Sequence, residues 1–163
     1  MPEAIALLVF VTVQRLAEMV WARSNEARLR AMGAVEVGAA HYPLIVLLHA
    51  AWVGWLWLRG WDRPLVLPWV VVFFVLQGLR IWVLATLGRR WTTRVLFVPG
   101  ETLVKKGPFR LIPHPNYAVV ATEMVVLPFA FGLIDAAIVF GLLNFAMLGW
   151  RIRVEARALT PLR

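Results

Sequence analysis

From Tyr117 to Trp150 the chain carries only two charged residues, Glu123 and Asp135. A soluble domain has no place for so long an apolar run, whereas a membrane-spanning helix needs about 20 mostly apolar residues. Gly132 and Asp135 mark a tight turn near its midpoint, so the run divides into helices over roughly 117–133 and 134–150. Asp135 is placed to cap the second of them. Three earlier runs of suitable length lie at roughly 3–21, 42–58 and 64–87. The expectation is an all-α integral membrane protein of five transmembrane helices, a single domain over 1–163.

Composition supports this and excludes other classes. Hydrophobic residues are 61% and charged residues 16%, against roughly 45–50% and about 25% in soluble domains. Disorder would require low hydrophobicity. With no cysteine and three scattered histidines, His41, His49 and His114, neither a thiol nucleophile nor a metal site is expected. Arg15 and Glu18 interrupt the first run, which also lacks a basic start and a small-residue cleavage site. It reads as a retained helix, not a signal peptide. The net charge of +8 would suit a nucleic-acid binder. The basic residues, however, lie between the apolar runs, where they meet lipid headgroups, and no nucleic-acid partner is expected.

Those basic residues set the expected topology. With five spans, the connections after the first and third helices share a side with the C-terminal tail. The first connection holds three basic residues, the third holds six and the tail four, thirteen of the 17 in the chain. The positive-inside rule then puts the N-terminus outside and the C-terminus in the cytoplasm. Of the cytoplasmic segments, 25–40 reads as a polar loop with a short helix around Glu26–Met32, broken at Gly33. The 88–113 connection reads as an ordered loop or a short hairpin, pairing Val95–Val98 with Thr102–Val104 around Pro99-Gly100.

Ionisable groups inside a span are costly and face the protein interior. Glu123 and Arg80 form either a structural pair or part of a substrate cavity. Arg15 and Glu18, three apart, read as a local pair, and His49 as a packing histidine. The segment Pro113-His114-Pro115-Asn116-Tyr117 forms a rigid polar collar, with Pro115 in the first turn of the fourth helix. Asn116 and Glu123, seven apart, share a face of that helix. If the fifth helix continues beyond the bilayer, Asn144, Arg151 and Glu155 fall on one face within roughly 40°. That stripe exceeds what an i,i+4 surface pair requires. Because the ends of a hairpin are close, His114 and Tyr117 should neighbour Arg151 and Glu155.

Four segments together resemble the isoprenylcysteine carboxyl methyltransferase family. They are Leu87-Gly88-Arg89-Arg90-Trp91-Thr92, Leu103-Val104-Lys105-Lys106-Gly107-Pro108-Phe109-Arg110, His114-Pro115-Asn116-Tyr117, and Arg151 through Glu155. The likeness covers about the C-terminal half. Arg15-Leu16-Ala17-Glu18, Gly33-Ala34-Val35-Glu36 and His41-Tyr42-Pro43 resemble a compact bacterial branch, some of whose members methylate alkylpyrone or alkylresorcinol lipids. A bacterial plasma membrane is the implied location.

The resemblance implies a membrane methyltransferase using S-adenosylmethionine, without a Rossmann fold and without a metal. It implies a cytoplasmic cofactor pocket built by the 88–117 segment and the C-terminal helix. Leu103, Val104 and Gly107 would line the adenosine pocket. His114, Asn116 and Tyr117 would form its collar, with Glu155 at the polar end. Arg151 would sit near the reacting methyl group, with Asn144 and Glu123 as further catalytic candidates. Pro113 stands where an arginine is common, and Ala156 replaces the second of two acidic residues.

The chemistry suits this inventory. Displacement at a sulfonium requires positioning more than a strong base, so one arginine orienting an oxygen anion suffices. The acceptor would be lipophilic and enter from the bilayer: a prenylcysteine-type carboxylate, or a phenolic or enolic polyketide lipid. Two rival readings use the same residues, an NADPH-dependent membrane reductase and a non-enzymatic scaffold. A dinucleotide would need more room than 163 residues readily supply, and a scaffold leaves the Asn144/Arg151/Glu155 stripe without a purpose.

Overall fold

In the computed structural model the described residues are 1–102 and 104–159, with side chains described to residue 157. Leu103, expected in the adenosine pocket, lies outside them, as does Arg163. Five long helices dominate: α1 (Pro2–Ala31), α2 (Tyr42–Gly60), α3 (Leu67–Leu87), α4 (Pro115–Ala130) and α5 (Ile134–Leu159). Strands β1 (Val35–Val37) and β2 (Val95–Phe97) form a small antiparallel pair.

The first helix is longer than expected. The break near Trp21 and the separate helix around Glu26–Met32 give way to 30 continuous residues in α1. Residues 22–31 are mostly Ala, Arg, Glu and Leu, all strong helix formers, and their charge does not interrupt the ladder. The helix stops at Gly33, whose φ of 83° admits a Schellman closure. Gly33 N–H donates to the Arg30 carbonyl and Ala34 N–H to the Leu29 carbonyl. At 1.5 Å per residue α1 is about 45 Å long, so it outruns a hydrocarbon core of about 30 Å.

Among the described residues four helical segments are long and apolar enough to cross a membrane: Pro2–Ala31, Ala39–Gly60, Leu67–Arg90 and Ile134–Arg157. The expected five spans thus become four by length and composition. The 16 residues of α4 span only about 24 Å. Three residues of its expected range go to the turn before α5, where Gly132 adopts φ 67°. Another Schellman closure forms there, through Gly132 N–H to Phe129 and Leu133 N–H to Pro128. Asp135 falls inside the first turn of α5, not at its cap, where it still favours the positive helix end. α3 begins at Leu67 rather than Pro64, with Pro68 in its first turn.

Among the described residues the 88–113 connection pairs no two strands of its own. Val95–Phe97 pairs with Val35–Val37 of the earlier loop, in the register Val35↔Phe97, Glu36↔Leu96, Val37↔Val95. The local hairpin is therefore corrected to a long-range pair. Glu36 supplies the reason, because its carboxylate takes Arg94 at 2.5 Å and also pairs with Arg30.

A core of buried side chains including Trp52, Leu56, Phe73, Met124, Leu127 and Phe131 joins α2, α3, α4 and the turn after it. The outward faces stay apolar: Leu58, Ile81 and Leu142 are all exposed. In water such faces would aggregate; in a bilayer they meet acyl chains. At one end of the bundle the two loops and the C-terminal turns of α5 converge. Asn25 of α1 donates to the Trp91 carbonyl at 2.8 Å, and Arg151 of α5 donates to the Thr93 carbonyl at 2.7 Å.

Candidate functional site

The mouth of the α4–α5 hairpin lies at that convergence. Pro115 occupies the first turn of α4, where its missing N–H leaves no bond unmade. His114 precedes it with extended-side φ of −127°, and its ring stacks on Tyr117 at 5.2 Å and 10°. Because α5 runs on unbroken to Leu159, Arg151 and Glu155 project at the same level.

Tyr117 is the pivot. Its hydroxyl donates to Glu155 Oε2 at 2.8 Å and accepts from Arg151 Nε at 2.9 Å. The Arg151 guanidinium also lies over the Tyr117 ring, 5.3 Å from its centroid, and His114 Nδ1 is 3.8 Å from Glu155 Oε2. The structure thus brings His114, Tyr117, Arg151 and Glu155 together, as the hairpin argument expected. Asn144 lies on the same face two turns deeper, fully buried, with Nδ2 lacking a hydrogen-bond partner among the described residues. Asn116 likewise keeps Oδ1 buried and unpartnered.

Sequence reasoning missed the layer behind these residues. Thr93 accepts from Arg151 through its carbonyl, while its hydroxyl meets Tyr42 at 2.9 Å and Glu26 at 3.3 Å. Arg94 sits over the Tyr42 ring at 3.9 Å and bonds Glu36. Burial pushes the Glu36 carboxyl up, yet the hydrogen bonds from Arg30 and Arg94 outweigh it and hold the group below its usual range. The Glu36 bond in turn raises Arg94 further above its already high value. These contacts depend on the β1–β2 pairing, which no local signal in either loop announces. His41 is buried beside Trp150, 5.5 Å between rings. Gly38 is required there, since a Cβ would stand 2.2 Å from the His41 ring.

Glu123 belongs to a different cluster. It is fully buried midway along the bundle, paired with Arg80 at 2.9 Å and Arg15 at 2.7 Å. Arg80 also bonds Glu18 at 2.5 Å, and Gln77 donates to Glu123 at 3.0 Å and accepts from Gln14 at 2.6 Å. The expected Glu123–Arg80 pair and the expected local pair Arg15–Glu18 are thus one network joining α1, α3 and α4, with two arginines balancing two glutamates. Val104 lines a separate basic cleft of about 640 Å³ with Thr86 and Lys105. Gly107, at φ 55°, packs so closely that a Cβ would lie 2.6 Å from Thr86 Oγ1. None of His114, Asn116, Tyr117, Arg151 and Glu155 lines that cleft. Among the described residues no group of three His, Cys, Asp or Glu side chains is placed to hold a metal.

Apolar helices long enough to cross a bilayer, with a polar cluster closing one end, define a multi-pass membrane protein. The chain belongs to the isoprenylcysteine carboxyl methyltransferase family, whose model matches residues 69–161. That stretch contains the whole α4–α5 hairpin and most of α3. Methyltransferases of this family generally use S-adenosylmethionine. Over 158 residues the chain is 37% identical to the uncharacterized protein YpbQ of Bacillus subtilis (strain 168), covering 94% of each chain. No solved structure matches it.

Proposed function

We propose that this chain is a five-span membrane O-methyltransferase that uses S-adenosylmethionine and acts on a lipophilic acceptor at the cytoplasmic face. Two observations support α4 as the fifth crossing. Val66 N–H, just before α3, donates to the Ala130 carbonyl at 2.9 Å, and Arg80 meets Glu123 midway. α4 therefore runs antiparallel beside α3 through the same slab. The convergence of both loops with the end of α5 gathers twelve basic residues at one end among the described residues, which the positive-inside rule assigns to the cytoplasm.

The observation that carries the activity is the Arg151–Tyr117–Glu155 cluster with the buried, unpartnered Asn144 amide beneath it. Arg151 is fixed through Nε to Tyr117 and through Nη2 to Thr93, which leaves Nη1 for an acceptor oxygen anion. A guanidinium anchored at two nitrogens holds that oxygen in one orientation, which is what methyl transfer requires. Asn144 offers an amide N–H to a second oxygen of the acceptor, below Arg151 and toward the bilayer.

The residues present fit the cofactor of the family. Glu155 and Tyr117 suit its ammonium group, and the unpartnered Oδ1 of Asn116 suits a donor such as a ribose hydroxyl. His114 offers a stacking face. When bound, S-adenosylmethionine supplies an electrophilic methyl group on a sulfonium. The acceptor reaches the site sideways from the bilayer as a carboxylate, phenol or acidic enol of a prenylated or polyketide lipid. Calorimetry in detergent tests this reading. S-adenosylmethionine should bind and NADPH should not; binding of NADPH alone, or of neither, would reject it.

A further inference from the structure

The basic cleft that Val104 lines carries a charge that the proposed reaction leaves without a role. Five cations line it, Arg28, Arg89, Arg90, Lys105 and Lys106, against one acid, Glu101. Glu101 is engaged by Arg90 at 3.1 Å, and Arg28 reaches the Arg89 carbonyl at 3.1 Å. The charged ends of Arg89, Lys105 and Lys106 have no carboxylate partner among the described residues. Leu29, Leu87 and Val104 give the same cleft an apolar wall.

A second depression of about 420 Å³ adjoins it, lined by Trp82, Gly107, Arg110 and Leu111. The two are stacked along α3. Thr86 borders the basic cleft, and its hydroxyl donates to the Trp82 carbonyl one turn farther into the bundle. Gly107, which lines the second depression, packs directly against Thr86 of the first. Leu111 is 74% exposed and Ile112 44%, an apolar edge that water would disfavour and acyl chains would cover. Trp82, partly exposed at this level, suits the membrane interface.

We propose that this two-level face binds an acidic phospholipid, its phosphate in the basic cleft and an acyl chain along Trp82 and Leu111. Charge selects the headgroup, because juxtamembrane Lys and Arg attract anionic lipid. The apolar lower level favours a lipid over a free phosphate, which would use the upper level alone. This inference rests on the membrane embedding and is independent of methyl transfer.

The test is native mass spectrometry of the full chain in neutral detergent with equimolar phosphatidylglycerol and phosphatidylcholine. The parent should retain phosphatidylglycerol preferentially. Lys105→Gln/Lys106→Gln should lose that preference by about fivefold for each lysine removed, while Arg153→Gln/Arg157→Gln on the exposed tail should keep it. Should the double lysine variant fail to fold, Arg89→Gln carries the same expectation. Leu111→Gln should weaken lipid retention while leaving the binding of inorganic phosphate unchanged. Equal loss in the tail variant would reduce the effect to diffuse charge attraction and overturn the proposal. Undiminished phosphatidylglycerol retention in Leu111→Gln would leave the lower level without an acyl chain and assign the cleft to a soluble anion. Displacement by S-adenosylhomocysteine would assign it to the cofactor. Either result overturns the lipid assignment.

Discussion

Arg151 Nη2 donates to the Thr93 carbonyl at 2.7 Å, joining the last helix to a loop 58 residues earlier. The bond needs two independent features, an α5 that stays helical past the bilayer and a loop held by β1–β2. Thr93 sits two residues before β2, so the pairing with β1 places its carbonyl. Arg94, bonded to Glu36 and lying over Tyr42, fastens the same loop from the other side.

That fastening titrates. Glu36 is held below its usual value of 4.5 despite burial, because Arg30 and Arg94 stabilise the carboxylate. A depressed carboxylate contributes stability that is present above the unfolded pKa and lost as pH falls through the folded one. Thermal stability in detergent, scanned downward from pH 6, should therefore fall below about pH 4.5 more steeply in the parent than in Glu36→Gln. Parallel curves for the two proteins would remove Glu36 from the account.

The intramembrane network predicts a larger effect. Glu123 is fully buried between Arg15 and Arg80, and removing one partner of a buried pair leaves a charge uncompensated, at about 3–5 kcal/mol. Glu123→Gln should lower the melting temperature markedly. Arg80→Met together with Glu123→Leu should be less damaging than the sum of the single changes, because the two couple. A parent-like melting temperature for Glu123→Gln would mean that the network does not hold the bundle together.

The hairpin mouth was legible because its determinants are local. Pro115 marks a helix start, and seven- and four-residue spacings put Asn144, Arg151 and Glu155 on one face whenever the helix is continuous. The Glu123–Arg80 pair was legible from the cost of charge in a bilayer. Its extension to Arg15 and Glu18 was not, since three residues apart on one helix also reads as a local pair. Thr93, Tyr42 and Glu26 escaped notice because a register between distant loops fixes them. The length of α1 is hidden for the opposite reason: the polarity of residues 22–31 reads as the end of a span, yet these residues have high helix propensity.

Topology is open to direct labelling, since the chain has no native cysteine. Thr102→Cys and Arg157→Cys, both at exposed positions of the basic end, should resist a membrane-impermeant reagent added to intact cells. Asp62→Cys, exposed in the short connection between α2 and α3, should react at once. The reverse pattern would invert the orientation.

The collar should act through cofactor affinity. His114 and Tyr117 are stacked and proline-fixed, so replacing either with Ala should weaken S-adenosylhomocysteine binding at least tenfold, about 1.4 kcal/mol. Circular dichroism should show the variants folded. Unchanged affinity in the folded double variant would move the cofactor away from the collar.

Arg151 and Glu155 share Tyr117 as an intermediary, with no direct salt bridge between them, and this separates what each contributes. An exposed i,i+4 pair would be worth only about 0.3–0.5 kcal/mol, and its loss would be mild. Arg151 is instead buried and anchored to Tyr117 and Thr93, so its loss should appear in turnover, because misplacement of the acceptor oxygen raises the chemical barrier. Arg151→Lys keeps the charge but cannot bond Tyr117 and Thr93 with one planar group, so it should be damaged as well. Glu155→Gln should leave turnover at saturating cofactor closer to the parent's and raise the cofactor dissociation constant. Steady-state kinetics with a lipophilic acceptor, paired with calorimetry, separates these effects. Near-normal turnover of Arg151→Ala at saturating acceptor and cofactor would make Arg151 a structural tie between α5 and the loop. The acceptor anion would then need another cation, and Arg153, two residues further along α5, becomes the residue to test.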